Sequence, residues 1–248
     1  GNIALDFVRS YFPSSGGDGP GIANVQFAEA INRRGKPVNP NVRFSAGITD
    51  LYAVFDFAGF SDGAPFTYVW YRDGFESARD FLAHKFGHLD ILVNNIGMGF
   101  DWGHTAADVP MRLLRETFEI NFFSLVDLTQ RLLPLIRLSH AGRIVNPSSA
   151  IGSLARRADQ AAWSEGDWPL AYSASKTALN AFTLHLACAL RDTRIKVNAA
   201  HPGVVRTDPN PQGLISPEEG ARTAVALALL PEEGPTGGFF HLGDAIAL

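Results

Sequence analysis

The chain has 248 residues, of which 46% are hydrophobic and 19% charged, an ordinary globular mix suited to one large α/β domain or two small ones. A formal charge of −4 gives no reason to expect nucleic acid or an anionic membrane as partner, and no apolar run is long enough to span a bilayer. No signal peptide is evident and a cytoplasmic location is expected; Cys188 has no second cysteine to pair with and sits in an apolar helical stretch, so a buried thiol is expected and a reducing compartment is allowed.

In chain order, the first landmark is the glycine-rich stretch from Gly17 to Ala23 (GDGPGIA), followed by NVQFAEAINRRG, a passable helix. Gly35 to Phe44 carries two prolines and reads as loop. Leu51–Phe57 (LYAVFDF) and Phe66–Tyr71 (FTYVWY) are aromatic and β-branched, with loops at 59–65 and 72–74, a strand–loop–strand pattern closer to a meander or sandwich than to a βαβ unit.

The sequence changes character near Gly74. Phe75–Phe86 reads as an amphipathic helix, and Asp90–Asn94 (DILVN) as a short strand buried on both faces. Met111–Leu138 is a long helix with an expected interruption near Pro134. Arg143–Asn146 (RIVN) is the next strand, Ala171–Arg191 a helix, and Ile195–Ala199 (IKVNA) a third strand. Pro217–Leu230 suits a helix, with Pro217 and two glutamates at its start, and Gly237–Leu242 a last strand. This rhythm predicts a doubly wound parallel sheet of Rossmann-like α/β type over residues 75–248, preceded by an anomalous β-rich region or a highly divergent first half over residues 1–74.

Tyr172 and Lys176, in AYSASKTALNA, lie four apart, which on a helix puts both side chains on one face. A phenol titrates near pH ~10, and a neighbouring ammonium favours phenolate, so this pair suits proton transfer nearer neutrality. Alone the spacing also fits any surface helix. Its context is more specific. One strand ends in Asn94-Asn95-Ile96-Gly97 and another in Asn146-Pro147-Ser148-Ser149. Asn121 lies in the helix between them, and Pro202, Gly203 and Thr207 follow the third strand. The carboxyl ends of strands are where open α/β sheets bind ligands.

In combination, NNIG, the asparagine of EINFF, NPSS, YSASK and HPGVVRT resemble motifs of the short-chain dehydrogenase/reductase family, over about residues 75–248. The insertion between Ser149 and Tyr172 is similar to that of the carbonyl-reductase-like members. The resemblance implies an NAD(P)-dependent oxidoreductase that reduces a ketone or aldehyde or oxidises the alcohol. It implies NADP, or else NAD, as cofactor and a small carbonyl or alcohol as substrate, with no nucleic acid or membrane partner. Tyr172 would then be the general acid/base. Lys176 would lower its pKa and bind the nicotinamide ribose. Ser149 would hydrogen-bond the substrate carbonyl, and Asn121 would hold a water in a relay with Lys176. Asn94 and Gly97 would line the cofactor channel, and Pro202, Gly203 and Thr207 would meet the nicotinamide end. Two donors aimed at one oxygen would stabilise the alkoxide that hydride transfer builds. Family members commonly associate through two long helices, here Met111–Leu138 and Ala171–Arg191, so a homo-oligomer is expected.

Residues 1–74 depart from the family. Its first strand should lead into a threonine and a glycine-rich turn that cradles pyrophosphate at a helix N-terminus. Gly17–Ala23 has no such threonine, carries Asp18 and Pro20, and ends in Ala23 where a glycine is expected. The alternative reading is therefore a chimeric or degenerate chain that binds no cofactor and acts as an interaction module. Weaker signals are His84 and His88, expected as a solvated helix end rather than metal ligands, and the Gly234–Gly238 run, expected to shape the last strand. Trp163 and Trp168, in the insertion with Arg156 and Arg157, form an aromatic loop that either selects bulky substrates or packs on itself.

Overall fold

The computed structural model describes residues 21–28, 30–31, 37–38, 50–58, 68–71, 75–159, 168–207 and 210–248. The chain divides into two compact units, Gly1–Asp80 with Arg206–Glu218, and Phe81–Val205 with Glu219–Leu248.

In the first unit, β1 (Gly21–Ala28), β4 (Asp50–Ala58) and β5 (Tyr68–Tyr71) form an antiparallel sheet in the order β1-β4-β5, while β2 (Ala30–Ile31) pairs with β3 (Pro37–Val38). The β1–β4 register runs from Gly21 opposite Ala58 to Ala28 opposite Tyr52, with an irregularity between Ala23 and Gln26. This corrects the helix expected after Ala23. Asn24, Val25, Gln26 and Phe27 alternate polar and apolar, and β4 offers a pairing partner along nearly the whole segment. Such pairing outweighs a weak local helix preference. Pro37–Val38 is likewise strand within the expected loop. Gly17 to Pro20, and the loops at 59–65 and 72–74, lie outside the described residues.

The chain then runs through α1 (Phe75–Phe86), β6 (Ile91–Val93), α2 (Met111–Phe118), a π-helical turn (Glu119–Phe123) and α3 (Ser124–Ile136). Next come β7 (Arg143–Pro147), a 3-10 turn (Ala150–Gly152), α4 (Leu154–Ala158) and α5 (Leu170–Ala189). β8 (Lys196–Ala200), α6 (Pro217–Ala228), β9 (Phe239–His241) and β10 (Asp244–Ala245) complete it. The sheet of the second unit has the order β10-β9-β8-β7-β6. Its pairs β6–β7, β7–β8 and β8–β9 are parallel, and β10 folds back antiparallel on β9. The turn into β10 uses Leu242 at φ 48° and Gly243 at φ 96°. That return strand was not legible as a separate element in the sequence.

Successive strand residues point to opposite faces, so each short apolar run serves two helical layers. Leu92, Ile144 and Val197 pack with Leu132, Leu135 and Ile136 of α3 and Ala187 and Leu190 beside them. Val145 and Ala200 turn the other way, onto Leu227 of α6. Helices on both faces of a parallel sheet make this a Rossmann-like α/β fold.

The expected break near Pro134 is not where the long helix departs from regularity. Pro134 sits inside α3, close enough to its end that only one late hydrogen bond is forfeited, and Arg137 N still reaches Leu133 O at 2.9 Å. The irregularity comes earlier, where Ser124 N bonds Glu119 O, five residues back. Asn121 lies in that widened turn, a kind of helix defect that recurs at functional sites.

Candidate active site

Helix α5 begins after Pro169, whose φ of −62° and ψ of 124° lead the chain in without a side-chain cap. Tyr172, half-buried, lies in its first turn, and Lys176 follows one turn on. The Lys176 Nζ is 5.8 Å from the Tyr172 ring centroid and donates to Pro147 O at 2.9 Å. Lys176 is only 3% exposed, and burial lowers its pKa to about 8. The ammonium is therefore still mostly protonated at neutral pH, beside the tyrosine it would tune.

The loop after β7 fits closely against this helix. A Cβ at Gly152 would fall 2.7 Å from Lys176 Cβ and 2.9 Å from its carbonyl carbon. Gly152 thus permits backbone to pass over Lys176, a role the sequence reading missed although the glycine follows shortly after NPSS. Ser148 is buried, with its N bonded to Ala200 O at 2.7 Å and its Oγ 3.4 Å from Lys176 O. Ser149 is half-buried and extended, at φ −142° and ψ 146°, and its carbonyl accepts from Gly152 N at 2.8 Å. Of the two serines, the second keeps access to solvent.

Asn121 clamps three segments together. Its Oδ1 accepts from Met98 N at 2.8 Å, and its Nδ2 donates to Met98 O at 2.8 Å and Ser175 Oγ at 2.9 Å. Both amide hydrogens are thereby committed to the protein. Asn94 Nδ2 donates to Asn146 Oδ1 at 2.8 Å and Thr129 Oγ1 at 2.9 Å, knitting β6, β7 and α3. Asn146 in turn donates to Thr183 of α5 at 2.8 Å. Asn94 is 1% exposed, so its nitrogen works inside the fold. Gly97 is open to solvent, yet a Cβ on it would sit 2.9 Å from Lys176 Nζ.

Pro202 and Gly203 follow β8, and Gly203 takes φ 86°, a conformation that favours glycine. His201 before them is a further residue that sequence reasoning missed. Its Nδ1 accepts from Ala150 N at 3.3 Å and Gly203 N at 3.4 Å, tying the serine loop to the Pro-Gly loop. His241 Nδ1 lies 2.9 Å from His201 O, with the two rings 4.8 Å apart. Burial above all, then the charges of His241 and Arg156, lower the His201 pKa to about 4. Thr207 belongs to the Arg206–Glu218 segment of the first unit, where it forms a bridge with Asn210.

The structure also places several secondary features of the sequence. Cys188 is exposed rather than buried, because α5 turns its Thr183–Ala187 face to the core and the cysteine to solvent. His88 Nε2 pairs with Asp90 at 3.1 Å, and among the described residues no group of three or more His, Cys, Asp or Glu is placed to hold a metal. The Gly234–Gly238 run binds β8: Gly237 N reaches Val197 O at 2.7 Å and Gly238 N reaches Asn198 Oδ1 at 3.0 Å. Trp168 receives Arg157 and Arg156 over its ring at 4.7 and 6.0 Å, whereas Trp163 lies outside the described residues. No helix among the described residues is long and apolar enough to cross a membrane.

A parallel sheet whose strand ends converge on a buried lysine and its tyrosine defines a Rossmann-type oxidoreductase. The family model described as short chain dehydrogenase matches residues 69–213. Salutaridine reductase of Papaver bracteatum is 32% identical over 233 residues, covering 69% of this chain and 74% of that protein. The NADPH carbonyl reductase 1 of Mus musculus is 36% identical over 200 residues, covering 65% and 70%. Among solved structures, carbonyl reductase Sniffer of D. melanogaster superposes with a TM-score of 0.61 at 26% identity, covering 71% of this chain and 74% of that one. The chain belongs to the short-chain dehydrogenase family, and with it to the enzymes that work with a nicotinamide dinucleotide.

The residues at the reactive end fit that cofactor. Gly97 leaves open the space over Lys176 Nζ that any side chain would fill, and the lysine supplies a charged donor beneath it. The candidate pyrophosphate turn starts at Gly17, outside the described residues, and the segment after it, Gly21–Ala28, is strand rather than the helix that the family's cradle leads into.

Proposed function

We propose that the chain is an NADP(H)-dependent reductase of a ketone or aldehyde, able to run the reverse oxidation of the alcohol. The observation that carries this reading is the pairing of Tyr172 with the buried ammonium of Lys176 on one face of α5, beneath the opening at Gly97. The preference for NADP follows the relatives, which include the NADPH carbonyl reductases 1 of mouse and cattle.

When bound, the nicotinamide supplies or takes the hydride. The chain's own residues manage the oxygen. Tyr172 donates its phenolic proton to the oxygen as negative charge grows there, and Ser149 Oγ–H donates a second hydrogen bond to it. Lys176 makes the tyrosine a stronger acid through its charge. The burial that lowers the lysine's own pKa also strengthens that influence, because a charge acts further in a poorly solvated site. Asn121 holds Met98 and Ser175 in place around them; the relay water expected of it belongs to this proposal. Gly97, Pro202 and Gly203 line the nicotinamide side in this reading, and Asn94 supports the strand end.

The exposed Phe123 beside α3 and Leu184 on α5, 53% and 47% accessible, suit an association surface between copies, which gel filtration tests. A cytoplasmic location, part of the same proposal, is tested by cell fractionation.

Fluorescence titration with NADPH and NADH, on the unmodified chain and on Tyr172→Phe, tests the function. Binding to both proteins with turnover by the unmodified one alone is the expected result. Absence of binding at millimolar cofactor leaves the Tyr172–Lys176 constellation without an enzyme around it and overturns the reading.

A further inference from the structure

Asp101 is fully buried and spends its carboxylate on the first turn of α5. Its Oδ2 accepts from Ala171 N at 2.6 Å and its Oδ1 from Tyr172 N at 3.3 Å. Amides in a first helical turn have no partner within the helix, and Pro169 brings no side chain to serve them. A carboxylate distant in sequence therefore caps the helix that carries Tyr172, with its negative charge at the favourable end of the helix dipole.

This anchoring decides where the next residue goes. Trp102 is 63% exposed, and its ring centroid is 5.7 Å from that of Tyr172 at a tilt of 37°. Gly99 makes the approach possible: a Cβ there would fall 2.8 Å from Trp102 Nε1 and 3.2 Å from Tyr172 Cδ2. The segment is pinned at both ends, by Asn121 on the backbone of Met98 and by Asp101 on α5. The side chains of Met98, at the first pin, and Phe100, between the pins, are also exposed, which makes an apolar rim beside the tyrosine.

We propose that Trp102 is a specificity-determining residue, the wall against which the substrate lies as its carbonyl meets Tyr172. The substrate class is then a carbonyl compound bearing a flat aromatic group or a comparably large apolar one. An indole offers a broad face with few rotamers to freeze, and offset or tilted aromatic contacts add to the burial of area. Asp101 is a positioning residue that acts on the substrate only through Trp102 and Tyr172. The inference rests on the reductase reading above.

The test compares NADPH-dependent reduction of acetophenone and butanone by the unmodified chain, Trp102→Ala and Trp102→Phe. The unmodified chain should favour acetophenone. Trp102→Ala should lower kcat/KM for acetophenone by about tenfold, mostly through KM, and leave butanone within about threefold. Trp102→Phe, which restores an aromatic face and guards against a folding defect in the alanine variant, should keep most of the selectivity. Equal loss on both ketones, or unchanged selectivity in Trp102→Ala, overturns the inference while leaving the reductase reading intact. Reduction of neither ketone by the unmodified chain overturns the inference, and the cofactor titration above then decides the reductase reading on its own.

Discussion

Gly97 and Lys176 share one space: the Cβ that glycine lacks would occupy a point 2.9 Å from the lysine Nζ. The far end of a lysine ordinarily yields to such an intrusion, but this one is buried and held by Pro147 O at 2.9 Å. Gly97→Ala should therefore displace the ammonium from beneath the opening. The expected outcome is a fall in kcat/KM of about tenfold or more, with a folded protein by circular dichroism. Unchanged kinetics in Gly97→Ala would remove this position from the working site.

Lys176 also predicts two pH effects. Its pKa is lowered from 10.5 to about 8 by burial, so the ammonium is lost as pH rises through about 8. Reduction should decline over that range, read as a pH–rate profile. For stability, the unfolded chain holds a proton between about 8 and 10.5 that the folded chain has released, so stability rises with pH in that window. Lys176→Met should abolish turnover, be at least as stable as the unmodified chain at pH ~7, and lose that pH dependence in urea titrations.

His201 behaves in the same sense at lower pH. Its Nδ1 accepts from two backbone amides, which requires an unprotonated nitrogen, and its pKa falls from 6.5 to about 4 by burial first and then by His241 and Arg156. Between those values the unfolded chain is the more protonated, so stability is lost as pH falls from 6.5 towards 4. His201→Asn, whose amide oxygen can accept in place of Nδ1, should flatten this acid limb in melting curves. A limb of undiminished slope in the variant would assign the acid sensitivity to another group.

At Gly152 the obstacle to a side chain is backbone rather than a mobile tip, since a Cβ would meet Lys176 carbonyl carbon at 2.9 Å and Thr177 N at 3.1 Å. Gly152→Ala should cost about 1–3 kcal/mol of stability by overpacking and lower activity as well, because the element forced aside carries Lys176. Denaturant midpoints together with kcat check it.

Asp101→Ala leaves the amides of Ala171 and Tyr172 without their acceptor. Loss of a helix cap costs about 0.5–2 kcal/mol, and burial places this one towards the upper end. The fall should appear in thermal melts even with saturating NADPH.

The sequence by itself determined the parallel half of the fold and singled out the residues proposed for the chemistry. Short apolar runs such as ILV, and the Ile144–Val145 pair within RIVNP, are legible as strand because burial on both faces favours apolar residues there, while the buried Asn146 is satisfied by hydrogen bonds. Tyr172 and Lys176 are legible because helical periodicity converts spacing into a shared face. What the sequence could not decide was set by partners far along the chain. Gly21–Ala28 is strand rather than helix because Asp50–Ala58 pairs with it, and a local preference carries no record of that partner. The regularity of the long helix fails at Asn121 and not at Pro134, where a proline near a helix end costs little. Asp101, Trp102, Gly152 and His201 look unremarkable in sequence, since each draws its meaning from a contact with α5, with the loop after β7, or with both. Only tertiary structure brings a buried carboxylate to the start of a helix, or shows that a glycine is there to make room for a lysine, because hydrogen bonding and close packing act through space and local patterning records only what lies within a few residues.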